Sequence, residues 1–469
     1  MKVRMVPCLL LVFGFSVATA AAQDSQLRPY RNSNSSNYSS PAIITATDEE
    51  PMMIYIHKKD PPTLPNTNTS SKDEPQRKNT LPETAAAATT CGDGGCSSCS
   101  SCSSFCGCKS CPYPPGRVWF GADFLLWWTR GDHLPPLVTT SPPGTPETMA
   151  GVLGQPGTSV LFGDQSVNGG VRPGLRLTAG GWFNDAHTTG IEANFIYLGT
   201  EVTHFSAASD GIPILARPFV FEDPTDPRFG QTGSLKIAFP GLVRGNIDIN
   251  ASSSFLTTDV YIRQALCCGC CCRLDGLIGY RYARLRDTLE ISETEIATNP
   301  ASAAFGIPFV INEGFETRNE FNGGEIGLIG EYMCNCWIFR GWAKIAFGTT
   351  QREVDIHGTT QVGNNPPQNG GFLALPSNIG SFDSSVFSVL PEVGVELGYA
   401  ITPRFRVFTG FTFLYWSGVA RPGEQVDLHV NASQPPLGTG LVGQPLPAFS
   451  FHSSDFWAMG LNLGVELRF

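Results

Sequence analysis

The chain has 469 residues, a formal net charge of −10, 51 glycines and 36 prolines, while 15% of its residues are charged and 11% are aromatic. This acidic balance lacks the basic footprint of nucleic-acid-binding proteins, so nucleic acid is not an expected partner. A weakly charged composition rich in Gly and Pro predicts many strands joined by irregular loops rather than two or three ordinary domains.

The N-terminal segment has the pattern of a secretory signal peptide. Lys2 and Arg4 precede an apolar run, and small residues follow it with cleavage options after Ala20 or Ala22. We therefore predict a cleaved signal peptide over residues 1–22. No other stretch approaches 18 uninterrupted apolar residues, and an exported chain without a membrane helix can still enter a membrane as a closed barrel.

Three further segments differ in composition. Residues 23–90 are rich in Ser, Asn, Thr and Pro, and we predict that they are disordered because they cannot bury enough apolar surface to offset the entropy of ordering. Residues 91–116 contain a block of Cys, Ser and Gly, predicted to be a periplasmic segment. Strand-like alternation starts at residue 117 and continues to residue 469, which predicts one β-barrel domain over this range.

The alternation is strictest at the C-terminus. From Trp457 to Phe469 every second residue is large and apolar, and the residues between them are small or polar. This pattern predicts a strand with one apolar and one polar face, and its length suits a tilted membrane-crossing strand. The fifth of ten strand candidates is ambiguous because both of its faces carry charge. The candidates are 117–129, 173–183, 189–200, 254–266, 274–291, 321–333, 337–351, 386–400, 404–417 and 455–469.

The lengths of the connections distinguish a barrel from a soluble β-sandwich. Long links follow the odd-numbered strands and short links follow the even-numbered ones. Outer-membrane barrels have this asymmetry, with short periplasmic turns and long external loops, whereas a sandwich gives no reason for it. The sequence therefore predicts an all-β, antiparallel up-and-down transmembrane barrel of ten strands with both termini in the periplasm. Additional strands in 158–171 or 232–250 would raise the number to twelve.

Several motifs resemble a known family. Residues 119–128 (WFGADFLLWW), which follow a Cys-rich block, together with 325–331 (EIGLIGE) and 391–399 (PEVGVELGY), resemble the "putative beta barrel porin-7" family of outer-membrane proteins. The resemblance covers roughly residues 117–469. It implies an outer-membrane location in contact with lipid and a porin role, and it implies no catalytic residue.

Aromatic residues are expected at both membrane interfaces. The final Phe469 resembles the C-terminal signal that outer-membrane barrels present to the barrel-assembly machinery, so this machinery is an expected partner. Aromatic residues near predicted strand ends form a candidate interfacial girdle. These are Trp127, Trp128, Trp182, Phe183, Tyr415, Trp416, Phe456 and Trp457.

Fourteen cysteines remain after the signal peptide and fall in three clusters, all predicted to face the periplasm. An oxidising compartment favours disulfides between the clusters, although the connectivity cannot be deduced. Structural zinc is a weaker alternative, and the ferredoxin-like spacing that begins at Cys96 lacks the usual proline, so no cofactor is expected. The candidates are Cys91, Cys96, Cys99, Cys102, Cys106, Cys108, Cys111, Cys267, Cys268, Cys270, Cys271, Cys272, Cys334 and Cys336.

Charged residues of both signs alternate with the apolar face and are expected to line the lumen. They would form either selectivity rings around a small aqueous passage or a salt-bridged plug, and ten strands lie closer to the filled case. The favoured function is passive diffusion of small hydrophilic solutes. The alternative is a non-conducting structural or adhesive envelope barrel. The candidates are Asp259, Arg263, Glu325, Arg340, Lys344, Glu392, Glu396, Arg404, Arg406, Glu466 and Arg468.

Catalysis is not expected. An outer-membrane protease of the omptin type would need paired Asp and His residues at its external rim. The nearby pairs on the loop side are Asp132–His133, Asp355–His357 and His452–Asp455, and proximity of this kind is more often loop polarity than chemistry. The sequence does not determine the solute or the oligomeric state.

Overall fold

The computed structural model describes residues 116–268, 272–334 and 336–469. The predicted signal peptide (1–22), the predicted disordered region (23–90) and the Cys-rich segment up to residue 115 lie outside the described residues.

Ten antiparallel strands form a closed barrel in which each strand pairs with its neighbours in sequence. The barrel closes between the first and last strands, where Trp119 lies opposite Arg468. The prediction of a ten-stranded up-and-down barrel is therefore confirmed. The strands are β1 (Val118–Thr129), β2 (Val171–Trp182), β3 (Thr189–Ser209), β4 (Val243–Cys268), β5 (Cys272–Ala297), β6 (Pro308–Cys334), β7 (Trp337–Val362), β8 (Gly380–Thr402), β9 (Phe405–Val419) and β10 (Ser454–Arg468).

The two segments considered for extra strands add no further strand to the barrel wall. They contribute short strands to small sheets in the long connections, or, in residues 243–250, the first part of β4. No helix in the described part of the chain is long and apolar enough to cross a membrane. The short elements are the strands Asp132–Leu134, Val138–Thr140, Ser159–Phe162, Gln165–Val167, Leu215–Phe221, Thr232–Ala238, Gln368–Asn369 and His429–Val430, and the 3-10 turn Pro422–Gln425.

The outer face of the barrel carries an apolar belt. On β10 the apolar residues predicted from the alternation point outward, and Leu461 and Leu463 are about half exposed. On β1 the same face presents Phe120 and Phe124. The Phe469 ring is also exposed, while its backbone N–H donates to the carbonyl of Val118 at 2.8 Å. This belt is the lipid-facing surface that a membrane barrel requires.

The strands differ greatly in length. β1 and β2 have 12 residues each, close to one membrane crossing, whereas β4, β5 and β7 have 26 and β6 has 27. On β5 the outward face is apolar up to Tyr282 and then continues with Arg284 and Arg286, while Arg281 and Asp287 point inward. The long strands therefore leave the membrane and continue as an external wall. Both faces of the fifth candidate carried charge because it extends beyond the apolar belt.

The prediction of an interfacial aromatic girdle was wrong for four of its eight residues, which are buried. Trp127, Trp416 and Phe456 are fully buried inside the barrel, and Trp182 is 7% exposed, whereas Trp128 points outward. The predicted residues form four consecutive pairs in the sequence, and the face of a strand alternates at every residue. Two neighbours in one strand cannot both face the lipid.

Candidate functional site

A buried ion cluster occupies the centre of the lumen. Arg281 lies 2.5 Å from Asp259 and 2.5 Å from Glu392, and its Nε is 2.9 Å from Glu325. Lys344 Nζ lies 2.7 Å from Asp259 and 3.5 Å from each of the two glutamates. The five residues come from five consecutive strands, β4 to β8, because the inward positions at one level of neighbouring strands converge on the lumen. All five are buried.

A second ion cluster lies nearer the periplasmic end. Arg263 contacts Glu192 at 2.7 Å and Asp275 at 2.6 Å, and Arg340 contacts Glu192 at 3.1 Å. Glu331 lies 3.5 Å from Arg263 and 3.8 Å from Arg340. Each carboxylate thus has a guanidinium partner. Together the two clusters connect residues of six consecutive strands, β3 to β8.

Aromatic donors complete the lumen network. Trp119 Nε1 donates to Glu192 at 3.1 Å and Tyr261 Oη donates to the same carboxylate at 2.5 Å. Trp342 Nε1 donates to Glu392 at 2.8 Å. Because these rings occupy volume and also satisfy buried carboxylates, they leave little room for water in the charged layer. Sequence analysis missed their role, although their positions on the polar side of each alternation would have identified them.

The charges of the lumen are almost balanced. Within the membrane-spanning part, nine carboxylates face eight cationic side chains. One cavity among them, lined by Asp123, Glu192 and Lys344 among others, has a volume of about 30 Å3, enough for one or two water molecules. The arrangement therefore resembles a salt-bridged plug more than a selective ring. The residues are Asp123, Glu192, Asp259, Asp275, Glu325, Glu331, Glu392, Glu396 and Glu466, with Arg176, Arg263, Arg273, Arg281, Arg340, Lys344, Arg406 and Arg468.

An apolar layer crosses the lumen on the external side of the ion clusters. Fifteen residues from nine of the ten strands form it, and each is at most 2% exposed. Phe321 and Trp416 meet edge to face near its centre, with ring centroids 6.2 Å apart. The members are Leu125, Trp127, Ile196, Leu198, Phe255, Ala283, Leu285, Phe321, Ala346, Leu390, Leu414, Trp416, Val419, Phe456 and Ala458.

The external end is closed by connections that pack against the inner face of the long strands. A hydrophobic core joins Ile291 of β5 and Phe315 of β6 to Phe219 and Phe372 of two different connections. We call this assembly the external lobe. It covers the mouth of the barrel, so the lumen is closed at a third level.

Buried ion pairs fix two connections to the wall. Arg217 in the β3–β4 connection contacts Glu293 at 3.1 Å and Glu313 at 2.7 Å, and all three side chains are at most 1% exposed. The other oxygen of Glu313 accepts three successive backbone N–H groups of the β7–β8 connection, from Phe372, Leu373 and Ala374. One carboxylate on β6 therefore holds two connections at once.

A third group of buried charges lies where the β1–β2 and β9–β10 connections meet the wall. Arg421 Nε lies 2.7 Å from Asp287, and Asp132 accepts the backbone N–H of Gly423 at 2.9 Å. Burial raises the pKa of Asp132 to about 6, with Arg421 and the Gly423 N–H opposing the shift and Asp287 and Glu424 adding to it. The Asp132 carboxyl, with its pKa of about 6, therefore titrates at a higher pH than an ordinary aspartate.

This pKa predicts a loss of lobe stability with rising pH. A carboxyl with a folded-state pKa above its unfolded value of 3.8 stabilises the fold fully below pH 3.8 and loses that contribution as pH rises through about 6. A shift of about two units corresponds to roughly 2–3 kcal/mol. We expect Asp132→Asn to remove this pH dependence, measured by hydrogen exchange of the two connections between pH 4 and 7. Asp164→Asn, at an exposed loop position, is the matched control and should retain it.

The structure places all of the predicted lumen residues except one inside the barrel. Arg404 lies in the exposed β8–β9 turn, so its assignment to the lumen was wrong. The alternation does not apply to Arg404, because β8 ends at Thr402 and β9 begins at Phe405. Arg404 therefore lies in the turn between the two strands. Arg406 is inside, where it contacts Glu466 at 2.5 Å.

The described cysteines lie at one end of the barrel. Cys267 and Cys272 flank the β4–β5 turn, and Cys334 and Cys336 flank the β6–β7 turn. The turns are neighbours because β5 pairs with β6. The N-terminal cysteines, together with Cys270 and Cys271, lie outside the described residues, so disulfide pairing stays a prediction.

Two of the three Asp–His pairs lie in different surroundings. His357 is on the outer face of β7, 3.9 Å from Asp355 and 3.6 Å from Glu290. Asp132 is buried, whereas His133 beside it is exposed. In the described residues no three His, Cys, Asp or Glu side chains are arranged to hold a metal ion.

Comparisons with solved structures give remote likenesses. The outer membrane protease OmpT from Escherichia coli is 12% identical, with 77% of this chain and 99% of that chain covered and a TM-score of 0.35. The toluene transporter TodX of P. putida is 8% identical, with 76% and 91% covered and a TM-score of 0.17. TM-scores this low support no conclusion about this chain. No curated protein matches it.

The family comparison is more informative, because it covers the barrel almost completely. The family described as Putative beta barrel porin-7 matches residues 119–469. The match begins at the second residue of β1 and ends at Phe469, so it includes all ten strands and every connection between them. The chain therefore belongs to the Putative beta barrel porin-7 family.

Proposed function

We propose that this outer-membrane barrel is a non-conducting, non-catalytic component of the cell envelope. The observation that carries the proposal is the apolar layer, in which Trp127, Phe321 and Trp416 cross the lumen without exposure. A hydrated solute that crossed it would lose its water with no polar partner in exchange, which is strongly unfavourable for ions.

The ion clusters support the same proposal. A conducting pore needs charges that bind a solute weakly enough to release it. Here Arg281 and Lys344 are already engaged by three carboxylates, so a passing ion would have to displace a buried pair. The nearly equal numbers of opposite charges also give the lumen no strong preference for either sign.

Passage of small solutes is the second candidate, and the word porin in the family description favours it. It would require the apolar layer and the external lobe to leave the lumen together. One measurement distinguishes the two candidate functions.

That measurement is single-channel conductance of the purified barrel in a planar bilayer. Folding is first verified by a difference in gel mobility between unheated and boiled protein. We expect no conductance steps, with or without reductant, while a general diffusion porin in the same bilayer gives steps. Discrete steps from the native protein would overturn the closed-lumen proposal and favour the pore. Steps found only with reductant would also overturn it and would point to the periplasmic cysteines as a gate.

A further inference from the structure

The outer wall has a charged pocket just above the apolar belt. It has a volume of about 270 Å3 and faces away from the lumen. On β5 it begins one outward residue beyond Tyr282, at the level where a lipid headgroup would lie, whereas on β7 it lies farther out, beyond the polar residues Thr349 and Gln351. The lining residues, two each from β5, β6 and β7, are Arg284, Arg286, Glu316, Arg318, Glu353 and Asp355.

Two charged residues of the pocket that have no ion-pair partner in the described part of the chain lie on strands that are not adjacent. Arg286 pairs with Glu316 at 2.6 Å, and Arg318 pairs with Glu320 at 2.5 Å. Within the described chain, Arg284 on β5 and Glu353 on β7 form no ion pair within 4 Å, and Glu353 lies directly across the sheet from Arg318. These strands are two spacings apart, roughly 10 Å. A group that carries both a negative and a positive charge therefore fits between them better than a simple anion or a simple cation.

An apolar groove lies nearer the membrane centre, on the same three strands and on β4. It measures about 530 Å3 and includes Ile278, Ile326 and Leu328. Gly276 also lines the groove, and a Cβ there would meet the side chain of Leu266 at 3.3 Å, so the glycine keeps it open.

The spacing of the two cavities matches one lipid leaflet. Ile278 precedes Arg284 by six residues on β5, which is roughly 20 Å along the strand. Because barrel strands are tilted, this distance spans about half of the roughly 30 Å hydrocarbon core. A headgroup in the charged pocket would thus place an acyl chain at the level of the groove.

We propose that this wall binds one phospholipid with a zwitterionic headgroup made of a phosphate and a primary ammonium. The phosphate contacts Arg284, the ammonium contacts Glu353 and Asp355, and one acyl chain lies in the groove beside Gly276. The proposal concerns the outer wall, so it holds whether or not the lumen conducts.

The test is native mass spectrometry of the folded, detergent-solubilised protein with added lipids of identical acyl chains. We expect phosphatidylethanolamine to bind more tightly than phosphatidylglycerol, which lacks the ammonium, and than phosphatidylcholine, whose methylated ammonium donates no hydrogen bond. Arg284→Gln should weaken phosphatidylethanolamine binding roughly tenfold, the loss expected for one charge-assisted hydrogen bond. Arg228→Gln, on an exposed external loop, is the matched control and should leave it unchanged.

Two further variants examine the ends of the site separately. Glu353→Gln should reduce the preference for phosphatidylethanolamine over phosphatidylcholine. Gly276→Leu should fill the groove and weaken both lipids equally. Equal binding of all three lipids, or equal effects of Arg284→Gln and Arg228→Gln, would overturn the proposal. Tighter binding of phosphatidylglycerol would overturn it as well, because it would indicate a plain anion site.

Discussion

Replacing Arg281 by alanine is expected to lower the free energy of unfolding of the barrel by about 3–5 kcal/mol, the range for removing one partner of a buried ion pair. The reason is that Asp259, Glu325 and Glu392 all contact this guanidinium, and Lys344 alone would then face three buried carboxylates. Urea unfolding in a fixed detergent, followed by tryptophan fluorescence and gel mobility, measures the change.

The same strand offers a matched control. Arg284 is three residues further along β5 and points outward, so Arg284→Ala should change the unfolding free energy by no more than about 0.5 kcal/mol. A double variant, Arg281→Ala with Glu392→Gln, should recover part of the loss because one uncompensated charge is removed. Equal effects of the two arginine substitutions would mean that the central cluster does not stabilise the barrel.

Replacing Glu313 by alanine is expected to release the external lobe without unfolding the barrel. The substitution leaves three buried backbone N–H groups without an acceptor, and it removes one of the two carboxylates that contact Arg217. Such losses amount to about 3–5 kcal/mol of local stability. Hydrogen exchange should show faster exchange in residues 371–375 and 215–221, with the membrane-spanning strands unchanged.

Glu316 provides the comparison for this prediction. It lies on the same strand, faces the outside and pairs with the exposed Arg286. Because exposed pairs contribute little, Glu316→Ala should leave the exchange of both connections as it is in the native protein. Uniform acceleration over the whole barrel by Glu313→Ala would contradict a local role for this carboxylate.

The sequence predicted the barrel well because its evidence is repeated in every strand. Alternation identified both faces of β10, the ten strands and most of the charged lumen residues, and the connection lengths distinguished a barrel from a sandwich. The errors came where alternation stops. Arg404 lies in a turn, and the two faces of β5 could not be distinguished once both became polar beyond the membrane. For this reason Arg281, the most buried cation of the central cluster, was not selected.

The closure of the lumen could not be predicted from single strands. An apolar inward residue such as Leu285 or Phe321 interrupts the polar face of its own strand, and a single interruption does not predict a layer. It becomes part of a layer when nine strands place such residues at one level. Glu313 was missed for a similar reason, because its partners are backbone groups about sixty residues away that no side-chain pattern identifies.

The uneven strand lengths have a consequence for assembly. The seam of the barrel joins β1, with 12 residues, to β10, with 15, whereas the hairpin of β6 and β7 pairs strands of 27 and 26 residues. Each hairpin closes a short loop, whereas the seam joins the two ends of the domain. The loss of chain entropy on closure is therefore largest for the seam. The ladder that closes the barrel therefore has only 11 paired positions, against 25 between β5 and β6, and it offers correspondingly less resistance to a sideways opening of the wall into the membrane.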